Sequence, residues 1–243
     1  EERTFDFTYY GGICDSTFTV EFSSDGVNWT APGTADYRQG KIFQWLWYRE
    51  CMKADDGTYV ALVSGYPKNT ARYIRLTFES VGFKMREVGF LDENGECYPI
   101  AGISSEGGDS YTMDDPGKMI DEQDTVPAQP SYYNSMYFDE IYHARTAYEH
   151  LHGLHTYEWT HPPLGKVLMS IGIAIFGMSP FCWRFMGTLV GVLMVPLMYL
   201  LTKQLTKSTK LSFTAMFLLS VDSMHFTQTR IATIDSYVVF FIM

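Results

Sequence analysis

Two short stretches carry the side chains best suited to chemistry. Tyr137-Phe-Asp-Glu-Ile-Tyr-His143 sets two carboxylates side by side, Asp139 and Glu140, and Thr160-His-Pro-Pro-Leu-Gly-Lys166 follows one loop later. Carboxylates next to strongly apolar segments are costly unless they meet water or serve a site. Placed against a serine or threonine hydroxyl, such a carboxylate acts as a general base and turns a poor nucleophile into a useful one. Further on, Arg184 and Arg230 stand at the edges of apolar runs, and Asp235 lies close to the second. Arginine presents a fixed fork of donors that matches a phosphate group. Each feature alone has a plain reading. An acidic pair is commonly just solvated, His161-Pro-Pro is a stiff helix entry, and edge arginines pair with headgroups or acids.

The elements that must position these groups differ sharply along the chain. Residues 1–138 hold 22 acidic and 11 basic side chains, a net of −11, whereas 139–243 hold 6 and 7, a net of +1. An acidic first half has no basic stripe for phosphate neutralisation, so nucleic-acid binding is excluded. Residues 5–100 read as β-structure, with strands expected at 18–22, 42–48, 59–63, 71–78 and 85–91. Turns fall at Ser23-Ser-Asp-Gly26 and Asp92-Glu-Asn-Gly95. Short strands with this punctuation suggest a β-sandwich. Residues 101–131 are rich in Gly, Ser, Asp and Pro and read as a linker.

The remainder is membrane-like. Residues 181–202 form an apolar run long enough to span a bilayer, 211–226 form a second, and 237–243 begin a third. Residues 164–178 are apolar but short for a span, and Pro162-Pro163 suits a first helical turn, so a juxtamembrane or re-entrant helix is expected. Three lysines between 203 and 210 place that loop on the cytoplasmic side. Residue 181, the 230–235 segment and the Asp139-Glu140 loop then lie outside. The chain opens on Glu-Glu-Arg and stops within an apolar run, which reads as part of a longer protein. The cysteines, Cys14, Cys51, Cys97 and Cys182, lack CxxC spacing, so no zinc site is expected. A disulfide among the first three is open, with the pair undetermined.

In combination the motifs are no longer generic. Phe138-Asp-Glu, His161-Pro-Pro-Leu-Gly-Lys, Trp183-Arg-Phe-Met-Gly-Thr-Leu-Val-Gly191 and Thr227-Gln-Thr-Arg-Ile-Ala-Thr-Ile-Asp-Ser236 occur in that order. Residues 137–243 thereby resemble the protein O-mannosyltransferase family, membrane enzymes of the GT-C type that use dolichyl- or polyprenyl-phosphate-mannose. The resemblance implies Asp139 as the base that deprotonates an acceptor Ser or Thr, with inversion at the sugar carbon. It also implies Glu140 as its support or as an orienter of the acceptor. Arg184 is implied in phosphate stabilisation or essential structure, Arg230 and Asp235 in holding the lipid phosphate or locking helices, and His161 in shaping its loop. Ser24-Asp-Gly-Val-Asn-Trp29, Ala71-Arg-Tyr-Ile-Arg-Leu76 and Arg86-Glu-Val-Gly-Phe90 with Asn94-Gly95 resemble the discoidin, galactose-binding-like sandwich. That resemblance makes Trp29, Tyr73 and Arg75 candidates for glycan binding, against a plain role in bracing the sandwich.

The expected architecture is therefore multi-domain: a discoidin-like sandwich over 1–100, a linker over 101–131, an external catalytic loop with its juxtamembrane helix over 132–180, and an incomplete set of transmembrane helices over 181–243. An earlier helix is expected upstream of Glu1, with the sandwich inserted in the first external loop. The implied donor is polyprenyl-phosphate-mannose, with no metal or other cofactor. The implied partners are membrane lipid, a secreted or membrane protein acceptor and a glycan ligand of the β-domain, in a bacterial plasma membrane with the site extracytoplasmic. Competing readings are a non-catalytic, membrane-anchored carbohydrate-binding protein and a GT-C enzyme with another sugar or acceptor. A third is a metal-handling protein using His143, His150, His152, His155 and His161 with Glu149 and Glu158.

Overall fold

The computed structural model describes residues 1–12, 17–30, 34–36, 42–47, 52–53, 69–78, 85–106, 115–129 and 131–243. They form two compact units, Glu1–Ser135 and Met136–Met243.

The first unit is built from antiparallel strands. One sheet joins β1 (Arg3–Gly11) to β4 (Gln44–Trp47), β6 (Asn69–Ala71) and β8 (Met85–Leu91). The other runs in the order β5 (Met52–Lys53), β3 (Thr34–Asp36), β2 (Thr17–Ser23), β7 (Tyr73–Phe78). Alternation along β1 buries Phe5, Phe7 and Tyr9, and along β2 it buries Phe18, Val20 and Phe22. These six side chains share one core with Leu46, Ala71 and Val88, so the two sheets pack face to face as expected of a sandwich. The expected strands at 18–22, 71–78 and 85–91 are present, and 42–48 is present as Gln44–Trp47. The run at 59–63 falls outside the described residues. Cys97 is free, its thiol directed at Gln123 Oε1 at 3.2 Å, which removes it from the disulfide pairings left open above. Cys14 and Cys51 fall outside the described residues.

The stretch read as a linker behaves differently over 115–129. It makes two 3-10 turns, Pro116–Met119 and Gln123–Thr125, whose side chains and backbone lie on β8. Met119 and Ile120 pack on the sandwich core, and Val126 crowds the face of Gly89, where any Cβ would overlap it. A Gly, Asp and Pro-rich composition thus marks turns here rather than freedom, because a few apolar residues anchor them.

Glu87 secures this strap, accepting from Gln123 Nε2 (2.5 Å) and from the Glu122 N–H (3.4 Å). Burial pushes its carboxyl above the ordinary 4.5, against the opposing pull of those hydrogen bonds. A raised folded-state value means that the stabilising protonated form is fully present below 4.5 and is lost as pH rises through the raised value. Replacing Glu87 by Gln keeps an acceptor for Gln123 and removes the titration. Amide exchange of 115–129 in the Gln variant should therefore slow, relative to the native chain, on going from pH 4 to pH 8. Equal exchange at both ends would show that this carboxyl does not tune the strap.

The second unit is helical: α1 (Glu140–Leu151), α2 (Pro163–Phe176), α3 (Pro180–Thr206), α4 (Thr209–Ser220), α5 (Ser223–Gln228) and α6 (Asp235–Ile242). Among the described residues only α3, at 27 residues, is long and apolar enough to cross a membrane. α2 has 14 residues, opens on Pro163 and ends at Gly177, whose φ of 87° suits glycine. The apolar run at 211–226 does not form one helix. It breaks at Asp222, whose carboxylate caps α5 by accepting from the His225 N–H at 2.6 Å. The break leaves helices of 12 and 6 residues where one span was expected.

Lys207 closes α3 in the left-handed conformation and Ser208 caps α4, so the chain doubles back at once. Tyr199 meets Phe213 across this hairpin at 5.1 Å. Higher up, His225 Nε2 lies 3.1 Å from the Gly191 carbonyl. A Cβ at Gly191 would come within 2.5 Å of Thr229, so the absence of a side chain admits the returning arm. That arm delivers residues 229–235 to the same end of α3 that carries Arg184.

Candidate active site

Asp139 and Glu140, adjacent in sequence, end up in opposite environments. Tyr137 to Glu140 form a tight turn in which the Glu140 N–H donates to the Tyr137 carbonyl (3.1 Å), and α1 starts immediately after it. Glu140 faces inward and is completely buried. Its Oε1 accepts from Arg184 Nε (2.7 Å) and from the Ala232 N–H (2.8 Å). Its Oε2 accepts from Arg184 Nη2 (2.6 Å) and from the Tyr137 N–H (2.8 Å). One carboxylate therefore ties together the 137–140 turn, the first turns of α3 and the 230–235 segment. Four donors around a buried charge are what burial demands.

Asp139 is the N-cap residue of α1 and is only half buried. Its carboxylate makes no hydrogen bond or ion pair among the described residues. Its carbonyl starts the helix by accepting from the Tyr142 (3.0 Å) and His143 (3.1 Å) N–H groups. Backbone geometry thus holds Asp139 in place and leaves its carboxylate without a hydrogen bond among the described residues.

The 157–161 loop closes against α1. Tyr157 N–H donates to Glu149 Oε2 (2.6 Å), Glu158 N–H to Thr146 Oγ1 (3.3 Å), and the Tyr157 ring stacks on Tyr142 at 6.1 Å. Lys166, on α2, is 1% exposed. Its ammonium donates to the Glu158 carboxylate, to the Glu158 carbonyl (3.1 Å) and to the His161 carbonyl (3.4 Å), so three donors meet three acceptors of one loop. Burial alone would raise the Glu158 carboxyl. Hydrogen bonds from Lys166, Thr160 and His161 outweigh it and hold the group well below the usual carboxylate range. A lowered folded-state value makes the latch fully effective above 4.5 and weaker as pH falls towards the folded value.

Replacing Lys166 by Met leaves that buried carboxylate without its cation. Amide exchange in 157–161 should then rise by roughly tenfold or more above pH 4.5, and by less at acid pH, where protonation of Glu158 relieves the unpaired charge. Unchanged exchange would show that the loop is held by other contacts.

His161 sits on this loop, half exposed, with its ring edge-on to His143 at 5.3 Å. His143 is buried, with Nδ1 unpartnered. Burial first, then Lys166 and His161, lower its imidazole below 6.5 against opposing Asp139 and Glu158. Of the ligand types that the sequence gathers in this region, the fold brings only His143, Glu158 and His161 within 4.8 Å of each other. Glu158 is already committed there. Oε2 faces Lys166, and Oε1 accepts from Thr160 N–H (2.5 Å), Thr160 Oγ1 and His161 N–H (3.1 Å). Glu149 pairs with Arg145 at 2.8 Å, and His152 stacks on Tyr148. These acids and rings fasten the loop, and their bonding leaves little ligand capacity for a cation.

The two arginines also differ. Arg184 turns its fork towards Glu140. Arg230 is exposed, lies over the Phe226 ring at 4.7 Å and forms no ion pair with Asp235, which is exposed at the start of α6. In the first unit, Tyr73 and Arg75 share the exposed face of β7. Arg75 grips Glu21 with two bonds (2.5 and 2.8 Å) and covers Trp29 at 4.3 Å. Sequence reasoning missed the Glu158–Lys166 pair and the Ala232 contact. A lone lysine within an apolar helix was a readable signal for the first, since such a charge must find a partner. The second is a backbone contact 92 residues away and leaves no mark in composition.

A family model described as dolichyl-phosphate-mannose-protein mannosyltransferase matches residues 175–243, which include Arg184, Arg230 and Asp235. Over those residues the helical unit is similar to the protein O-mannosyltransferase family. Curated relatives named polyprenol-phosphate-mannose–protein mannosyltransferase agree. The protein of Mycobacterium tuberculosis is 38% identical over 112 residues, 44% of this chain and 22% of that protein. That of Mycolicibacterium smegmatis is 33% identical over 110 residues, 43% and 21% of the two chains. That of Corynebacterium glutamicum is 34% identical over 82 residues, 34% and 16%. The matched region spans about a fifth of the length of these relatives. No solved structure matches the chain.

Proposed function

We propose that the protein is a membrane glycosyltransferase that moves mannose from a polyprenyl-phosphate carrier to Ser and Thr hydroxyls of extracytoplasmic proteins, inverting the anomeric carbon. The observation that carries this reading is the contrast within one dipeptide. Glu140 is consumed by a buried network, and Asp139 is held beside it with its oxygens free. In the reaction, the acceptor O–H proton passes to the Asp139 carboxylate while the acceptor oxygen attacks the sugar carbon. The bond from that carbon to the phosphate oxygen breaks, and polyprenyl phosphate leaves with the electron pair. Arg184 acts by holding Glu140, and Arg230, whose charge is unpaired among the described residues, meets the lipid phosphate from the same end of α3. Asp235 sets the start of α6 there, and His161 braces the loop through His143 and Lys166. We assign α3 to a membrane span with this end outside, and the two-sheet unit to a discoidin-like module. There Trp29, Tyr73 and Arg75 brace β2 on β7, because Arg75 is already committed to Glu21 and Trp29.

The test is transfer by the full-length protein from polyprenyl-phosphate-mannose to a Ser/Thr peptide, with the anomer of the product determined. Mannosyl peptide of inverted configuration is expected. A retained anomer would rule out a single displacement by the hydroxyl, and absence of transfer with this donor would point to another sugar.

A further inference from the structure

Three non-glycine residues among those described have positive φ: Phe43 (52°), Phe138 (49°) and Lys207 (56°). A bulky aromatic residue in this region is a strained outlier, so each instance calls for a compensating cause. Lys207 terminates α3, where a left-handed residue closes the last turn. Phe43 has its ring in the core, 3% exposed. Phe138 has neither cause, for its ring is 68% exposed and its ring contact among the described residues is with Tyr137, at 6.3 Å. It occupies the second position of the Tyr137–Glu140 turn, where a positive φ ordinarily selects glycine. What holds it there is the Glu140 network: Oε2 grips the Tyr137 N–H, and Arg184 and the Ala232 N–H fix the carboxylate. A buried ion pair thus maintains an exposed ring immediately before the open carboxylate of Asp139.

We propose that Phe138 seats the acceptor polypeptide, its ring packing against the residues that flank the hydroxyl being deprotonated. This rests on the reading of Asp139 as the base. In an inverting displacement the base, the acceptor oxygen, the sugar carbon and the phosphate oxygen lie in sequence. Groups flanking the base therefore border the acceptor, and the sugar and lipid lie beyond it. Tyr142, three residues after Asp139 on α1, is a second exposed ring and stacks on Tyr157. Aromatic rings suit this task, offering large contact area at low entropic cost.

The experiment measures steady-state transfer by the full-length enzyme with Phe138→Ala, Phe138→Gly and Phe138→Tyr, varying Ser/Thr peptide and polyprenyl-phosphate-mannose separately. With Ala and Gly, the acceptor KM should rise about tenfold, close to 1.4 kcal/mol, while the donor KM stays within about twofold. Tyr should restore the acceptor KM. The Gly variant should also melt above the Ala variant, since only glycine relieves the turn. That result would separate loss of the ring from loss of structure. An unchanged acceptor KM, a donor KM that rises instead, or a fall in kcat alone would each overturn the proposal. If Asp139→Asn were also near-normal, the failure would lie with the base itself. If that variant were inactive, the failure would be confined to Phe138.

Discussion

Asn at position 139 should reduce mannosyl transfer by the full-length protein by about 10²–10⁴-fold, the range for loss of a positioned general base. The expectation rests on the absence of structural duties for this carboxylate. Its backbone starts α1, and its oxygens hold nothing among the described residues. Asn has the same shape and can keep the cap position, so folding and donor binding should persist. Binding of polyprenyl phosphate and the melting temperature should remain near native while turnover collapses. Near-normal turnover would place the base elsewhere. A collapse accompanied by lost donor binding would assign Asp139 to the donor instead.

How much of this could be read beforehand depended on range. Local periodicity exposed the β-strands at 18–22 and 85–91, because alternation with turn residues is written within a few positions. The length of the apolar run at 181–202 likewise announced α3. The break in 211–226 was less legible, since Asp222 was visible but its role as a cap depends on the chain turning at Val221. The anchoring of 115–129 was hidden because Met119, Ile120 and Val126 are few among polar residues, and their partners on β8 lie about 30 positions away. At the site, the motif order drew attention to the dipeptide and the arginines, of which the structure joins Glu140 to Arg184. The resemblance implied Asp139 as base and Glu140 as support, but not that Glu140 alone is buried against Arg184 while Arg230 stays exposed. That division depends on which carboxylate the turn directs inward, and so on a positive φ at Phe138 that no composition reveals.

The same division makes the Glu140–Arg184 pair the most consequential contact in the helical unit. Removing either partner alone leaves a buried charge without its counter-ion, a loss of about 3–5 kcal/mol. Glu140→Ala should also remove the acceptor shared by Arg184, the Ala232 N–H and the Tyr137 N–H, loosening the turn that presents Asp139. Arg184→Ala leaves the carboxylate two backbone donors, so it should be the milder of the two in melting temperature though still inactive. The double variant Glu140→Ala with Arg184→Ala removes both charges. Its loss of stability should fall short of the sum of the two single losses by about 0.5–3 kcal/mol, the range for residues in one network. Activity should not return with stability, because neither replacement fixes the 137–140 turn. Strict additivity would mean that the two side chains act independently. In that case Arg184 would be free to grip the lipid phosphate directly, and donor affinity, rather than melting temperature, would carry the effect of its loss.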